Sequence, residues 1–262
     1  MTAEAIHAGI GWYAAGALVA LSFATSFIAA AFGLGGGAIM LAVLATLLPA
    51  AAILPVHGLV QLGSNAGRAA IMLPHFERAV LLPFVVGAAI GVALGGALFV
   101  QLPGPAIQVA VGLFVLWSLV GRPPAALNRS AGIAGAFSSF LTMFFGATGV
   151  FVAAFVRTLK LDREAHVATH SVLMTIQHTL KTIAFGLFGF AFAAWAPLIA
   201  ALVASGFLGT LVGRAVLSRL SDDRFRKVLD AVLLILGLNL VVSGLQSAFG
   251  VSILPAIGGS GG

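Results

Sequence analysis

The sequence predicts an all-α, polytopic membrane protein built from two homologous repeats, about 1–120 and 121–249. Three observations predict it. Of 262 residues, 61% are hydrophobic and 8% charged, whereas a soluble domain is roughly 45–50% apolar and about 25% charged. Apolar stretches of about 20 residues, the length that crosses a bilayer, recur along the whole chain. Sliding the chain against itself by 113 residues superimposes its rarest features.

The elements follow in order. The stretch 11–48 is too long for one crossing and is interrupted at Gly33-Leu34-Gly35-Gly36-Gly37, where glycines release backbone groups from helical pairing. Segments 53–73, 79–100 and 106–120 come next, divided by turns such as Leu73-Pro74-His75-Phe76-Glu77-Arg78 and Leu102-Pro103-Gly104-Pro105. The second half repeats the plan. Segment 131–159 is interrupted at Phe145-Gly146-Ala147-Thr148-Gly149, and 165–186, 190–212 and 227–249 complete it. Each repeat thus reads as a broken helix or re-entrant hairpin followed by three spanning helices. Residues 1–250 form one integral membrane domain, and 251–262, rich in Gly and Ser, form a flexible tail. The N-terminal residues carry Glu4 and His7 but no Lys or Arg, so the first segment is not expected to be a cleavable signal peptide.

Duplication rests on several matches in one register. Phe32-Gly33 falls on Phe145-Gly146, Gly36 on Gly149, His57 on His170, Asn65 on His178 and Arg68 on Lys181 (57 + 113 = 170). Charge placement then bears on topology. Eleven of the 13 basic residues are in loops: Arg78, Arg122, Arg129, Arg157, Lys160, Arg163, Arg214, Arg219, Arg224, Arg226 and Lys227. If every segment simply crosses, they split 3 against 8 between the two sides. If 11–48 and 131–159 each enter and leave on one side, all 11 share the cytoplasmic face, as the positive-inside rule favours. That second arrangement inverts the repeats and puts both termini outside. Residues 11–31 alone are long enough to span, so parallel repeats with simple crossing stay open at this point.

The composition also excludes function classes. A net charge of +6 on so apolar a chain reflects basic loops on one membrane face, not nucleic-acid binding. The chain has no Cys, so disulfides, thiolate metal sites and cysteine nucleophiles are absent. No phosphate-binding loop is present, and no cofactor or enzymatic activity is expected.

The polar residues that remain inside the spans are few and patterned. His57, Gln61, Ser64 and Arg68 follow spacings of 4, 3 and 4, one face of a helix. The second copy offers His170, Gln177, His178 and Lys181. An unpaired cation in hydrocarbon costs at least ~2.5–3.5 kcal/mol on insertion scales, and every acid lies in or beside a loop, so a bound anion is the expected counter-charge for Arg68 and Lys181. The helices that begin after the breaks would aim positive dipole ends and free N–H groups at the same anion. The expected substrate-binding set is therefore Arg68, Lys181, His57, His170, Asn65, His178, Gln61, Gln177, Gly33, Gly35, Gly36, Gly37, Gly146, Thr148 and Gly149. The alternative for the two cations is snorkelling to the interface from near the helix ends. Gly87, Gly91 and Gly95, spaced by four, read as helix packing.

The run Ala30-Ala31-Phe32-Gly33-Leu34-Gly35-Gly36-Gly37, the 57–68 segment and their weaker echo at 145–181 resemble the sulfite exporter TauE/SafE family, also called the toluene sulfonate uptake permease family. The resemblance covers about 11–249. It implies movement of sulfite, sulfonates or sulfoacetate across the bacterial inner membrane. The second break departs from the glycine pattern at Ala147, Thr148 and Val150.

The expected function is secondary transport of small sulfur oxyanions, with the repeats moving around a central site by alternating access. Its partners are the anion and the lipid bilayer. Proton coupling through His57, His170 or His178 and homo-oligomerisation are left open. Two rivals stand beside it: transport of a non-sulfur organic anion, and a membrane redox protein with those histidines as haem ligands.

Overall fold

The computed structural model describes residues 9–32, 36–99, 102–122, 124, 130–216 and 222–250. Among them the protein is all helical. The helices are α1 (Trp12–Phe32), α2 (Gly36–Leu47), α3 (Ala50–Met72), α4 (Leu81–Phe99), α5 (Gly104–Val120), α6 (Ala131–Phe145), α7 (Gly149–Thr158), α8 (Arg163–Leu187), α9 (Phe192–Val216) and α10 (Asp222–Phe249). Equivalent starts keep the register found in the sequence: α2 and α7 begin 113 residues apart (149 − 36), as do α3 and α8 (163 − 50). Helix starts carry local signals. The Ser130 side chain accepts from Ile133 N–H and Asp162 from Ala165 N–H, satisfying first-turn donors of α6 and α8.

Among the described residues three helices are apolar and long enough to cross a membrane, at Trp12–Ala30, Arg78–Phe99 and Phe192–Gly213. Helices α3 and α8 have the length, at 23 and 25 residues, but carry the polar residues of the interior. Helix α4 shows how a uniformly apolar helix is divided. Val86, Ile90, Leu94 and Leu98 are exposed on one side, an apolar stripe suited to lipid. Gly87 and Gly91 on the other side lie against the carbonyls of Gly132 and Ala136 on α6, where any Cβ would collide with backbone. Packing is thus the role of this glycine series.

Residue contacts fix the helix directions. Pairs 87–132, 91–136 and 95–140 make α4 and α6 parallel; pairs 22–206, 23–209 and 27–213 make α1 and α9 parallel. Helices α3 and α9 are also parallel, through Gly63 on Val203 and Gly67 on Phe207. By contrast α5 and α10 run antiparallel, with Gly237 against Leu116 and Gly244 against Val109. Helices α3 and α8 are antiparallel too: Gly58 meets Lys181, while the far end of α3 meets the early residues of α8 around a shared cavity. Simple crossing by every segment would require α3 with α8, and α5 with α10, to be parallel.

Each break reverses the chain. Gly36 packs on the carbonyl of Thr25 and on Ala29, so α2 folds back along α1. At the second break Gly146 has φ +78°, a left-handed conformation that glycine adopts without strain, and a Cβ there would stand 3.0 Å from Leu41 and Leu54. Helices α6 and α7, with 15 and 10 residues, are each too short to span. Residues 33–35 and the tail 251–262 lie outside the described residues, and with them Gly33 and Gly35 of the expected site.

The most extensive pairings among the described residues are α4 with α6, α1 with α9, α5 with α10 and α3 with α8. Every one joins the first half to the second. The two halves interlock; neither forms a separate body. Side chains reinforce this, since Ser22 donates to Leu202 O at 2.7 Å and Ser205 to Val19 O at 2.7 Å.

Candidate functional site

Both breaks, the far half of α3 and the near half of α8 converge on a cavity of about 250 Å³. Its walls carry Gly36, Gly37, Gln61, Asn65, Arg68, Gly149, His170 and His178, with Ala29, Ala38, Ser118, Ala147, Met174 and Asp230 among the rest. The first turns of α2 and α7 both face it, so two helix N-termini, with their unpaired N–H groups and positive dipole ends, open on one space.

A chain of hydrogen bonds positions the cation. Asn65 Nδ2 donates to Gln61 O at 2.8 Å, and Arg68 Nη2 donates to Asn65 Oδ1 at 2.8 Å. Arg68 Nη1 is buried with no hydrogen-bond partner. Among the described residues no ion pair joins Arg68 to an acid; the one ion pair found, His75 Nε2 to Glu164 at 3.2 Å, lies at the loop ends. Arg68 therefore lines the cavity with a charged nitrogen, Nη1, that has no protein partner.

The two histidines matched by the 113-residue register make the same contact. His57 Nε2 donates to Gly37 O at 3.0 Å and His170 Nε2 to Gly149 O at 3.2 Å. Because a carbonyl only accepts, Nε2 carries the hydrogen in each ring. Each histidine pins the first turn of the helix that follows a break. That role disfavours haem ligation by these rings, since the Nε2 atoms are engaged, and His57 meets His178 edge to face with centroids 6.2 Å apart, not across a shared plane.

Several expected site residues lie elsewhere. Gln177 and Thr148 are fully buried and satisfy one another: Gln177 Nε2 donates to Thr148 Oγ1 at 2.8 Å, and Ser139 donates to Gln177 Oε1 at 3.5 Å. They tie the second break to α8 and do not line the cavity. Gly146 is a turn residue whose carbonyl accepts from Thr142 at 2.9 Å. His57 and Lys181 are behind the cavity wall. Lys181 is 0% exposed, which excludes snorkelling, and its Nζ has no hydrogen-bond partner. The two cations do not share one site: Lys181 crosses Gly58 of α3, and Arg68 is ten residues further along, roughly 15 Å at 1.5 Å per residue. Antiparallel packing explains the separation, because residues matched in register sit at opposite depths.

The sulfite exporter TauE/SafE family model matches residues 18–240. The chain belongs to that family. Comparison with the curated proteins and with the solved structures finds no match. Membership in TauE/SafE makes this a membrane transporter of a family named for sulfite export, and the polar cavity lies wholly within the matched residues.

One cavity residue of this TauE/SafE member was missed. Asp230 lies in α10, eight residues past its start, and lines the cavity opposite the breaks. The sequence shows it three residues after Lys227, beside a charged loop, so it reads as part of that loop. Only the inward extension of α10 brings it to the cavity.

Proposed function

We propose that the protein is a secondary transporter that moves small sulfur oxyanions such as sulfite, sulfonates and sulfoacetate across a bacterial inner membrane by alternating access. The carrying observation is Arg68: a guanidinium held by Asn65, with a buried Nη1 lacking a partner, on a cavity that two helix N-termini also face. An oxyanion supplies the acceptor that Arg68 Nη1 lacks. Gln61, Asn65, His170, His178 and the backbone at Gly36, Gly37 and Gly149 complete the binding set.

The inverted-repeat topology is part of this proposal. The pairings α4–α6 and α1–α9 exchange when the halves are swapped, and α3–α8 and α5–α10 map onto themselves with antiparallel axes, as a two-fold axis in the membrane plane requires. In that topology the loops after α3, α5, α7 and α9 share the cytoplasmic face, all 11 loop cations lie there, and both termini are periplasmic. Since the halves interlock, the bodies that move are composites of helices from both.

The test is counterflow in proteoliposomes. Vesicles loaded with unlabelled sulfite accumulate labelled sulfite, and sulfonates compete, whereas carboxylates of equal charge compete weakly. Arg68→Ala, at normal abundance, loses counterflow. Uptake by that variant at the wild-type rate would sink the proposal, and stronger competition by carboxylates would shift it to a non-sulfur organic anion.

A further inference from the structure

Beneath the polar cavity the spans hold a second cluster that anion binding leaves unused. Lys181 is fully buried, its Nζ unpartnered, its stem packed where a Cβ on Gly58 would come within 3.3 Å of Cε. His178, three residues earlier on the same face of α8, lines the cavity, and neither of its ring nitrogens has a partner. His57 stands edge to face with His178, and its Nδ1 is also buried without a partner. These are the titratable groups that face Lys181. Helices α2, α4, α5 and α6 carry none, Arg157 closes α7 at the loop, and Arg68, His170 and Asp230 stand around the cavity.

On its far side Lys181 faces the Phe185 ring. The Phe185 ring centroid is 5.8 Å from Nζ, and that ring lines a second cavity of about 360 Å³ with Phe99, Phe188, Phe190, Pro55 and Ile107. None of the residues lining that cavity titrates. Along α3 the order is Pro55 at the apolar cavity, His57 and Gly58 between, then Gln61 and Arg68 at the polar one; along α8 it is His170 and His178 at the polar cavity, Lys181 between, then Phe185 and Phe188. Lys181 marks the boundary between two oppositely placed cavities.

Resting on the transporter reading above, we infer that Lys181 is the proton-carrying group of the transport cycle, loaded through His178 from the polar cavity and coupled one proton to one monovalent anion. An ammonium with neither acid nor acceptor is strongly disfavoured in this interior. An oxyanion on Arg68 supplies the negative field that stabilises it, and by linkage the ammonium favours the anion equally. The proton resides on the Nζ lone pair and stays there until conformational change opens the apolar side, because the Phe99 and Phe185 rings, 5.2 Å apart, offer it no acceptor. The combined load of anion and proton is electroneutral.

The experiment uses full-length protein in proteoliposomes and methanesulfonate, an anion that stays ionised across the working pH range. A lumenal pH dye and labelled methanesulfonate are read together. The expected result for wild type is one proton per anion and a rate unchanged when a potassium and valinomycin potential is imposed. Lys181→Met and Lys181→Gln are expected to lose at least tenfold in protons per anion while keeping an Arg68-dependent, though smaller, thermal stabilisation by methanesulfonate. Wild-type uptake that is driven by voltage and does not acidify the lumen would overturn the inference, even if neither variant folds. So would an unchanged proton-to-anion ratio in the two variants. Failure of wild type to bind or move methanesulfonate and sulfite alike would instead overturn the transporter reading, and the coupling with it.

Discussion

Replacing Arg68 by Gln should weaken oxyanion binding by a factor that the local geometry sets. Of the two terminal guanidinium nitrogens, Nη2 is committed to Asn65 Oδ1 and Nη1 is buried and unpartnered. At least one charge-assisted hydrogen bond, from Nη1, is therefore on offer, and such a bond contributes about 1.5–3 kcal/mol net. At 1.4 kcal/mol per tenfold, the Kd should rise roughly 10- to 150-fold. Arg68→Lys should fall between, because an ammonium keeps the charge but loses the fork that Asn65 holds. The assay is thermal unfolding of purified protein titrated with sulfite and methanesulfonate at matched ionic strength, since a ligand of the folded state raises its stability by mass action. The unliganded variant should lose at most about 1–3 kcal/mol, the cost of stranding Asn65 Oδ1, because the charge it removes has no partner ion among the described residues. A Kd within about threefold of wild type, on a scale where tenfold is 1.4 kcal/mol, refutes the reasoning, and so does a large loss of unliganded stability.

Other perturbations probe the frame around the site. Gly91→Leu should destabilise the protein by about 1–3 kcal/mol, read as a lowered melting temperature, because its side chain meets the Ala136 carbonyl; Gly186→Ala, whose Cβ would have 3.8 Å to Phe192, should be neutral. Gln177→Leu should cost about 1–3 kcal/mol by stranding polar groups of Thr148 and Ser139, and Thr148→Val in that background should add little if the loss is shared. The chain has no Cys, so single-cysteine variants report topology cleanly. His75→Cys and Glu164→Cys, exposed at adjacent loops, should react with a membrane-impermeant maleimide from the same side, and Leu102→Cys from the other.

Much of this architecture is legible in the residues, for identifiable reasons. In a chain this apolar, charges are rare and a cluster of small residues interrupts an otherwise bulky apolar run, so a break such as Gly146-Ala147-Thr148-Gly149 and a loop such as Leu159-Lys160-Leu161-Asp162 stand out, and most helix ends fall within a few residues of the expected ones. His57 and His170 stand out in the sequence as positions 113 residues apart, and both rings make the same kind of contact, to a backbone carbonyl. Depth is what a one-dimensional match cannot carry. Arg68 and Lys181 coincide in register, and that suggests one shared site, yet opposite helix directions send them to different levels. The buried pairing of Gln177 with Thr148 is hidden likewise, since a donor aimed at a ligand and a donor aimed at a neighbour look alike in sequence.

The crossed pairing of the halves bears on how the molecule is made. Helix α1 rests on α9 through contacts such as Ser22 to Leu202, 180 residues apart. At translation rates of about 5–20 residues per second, α1 waits roughly 10–35 s in the bilayer before that partner emerges. During that interval Ser22 faces lipid or a temporary companion, whereas Ser26 can already meet Ser64 of α3. Insertion of this protein must therefore include a stage in which the first half is held, unpaired, by the insertion machinery, and a truncation before α9 should leave α1 a substrate for quality control instead of a stable half-transporter.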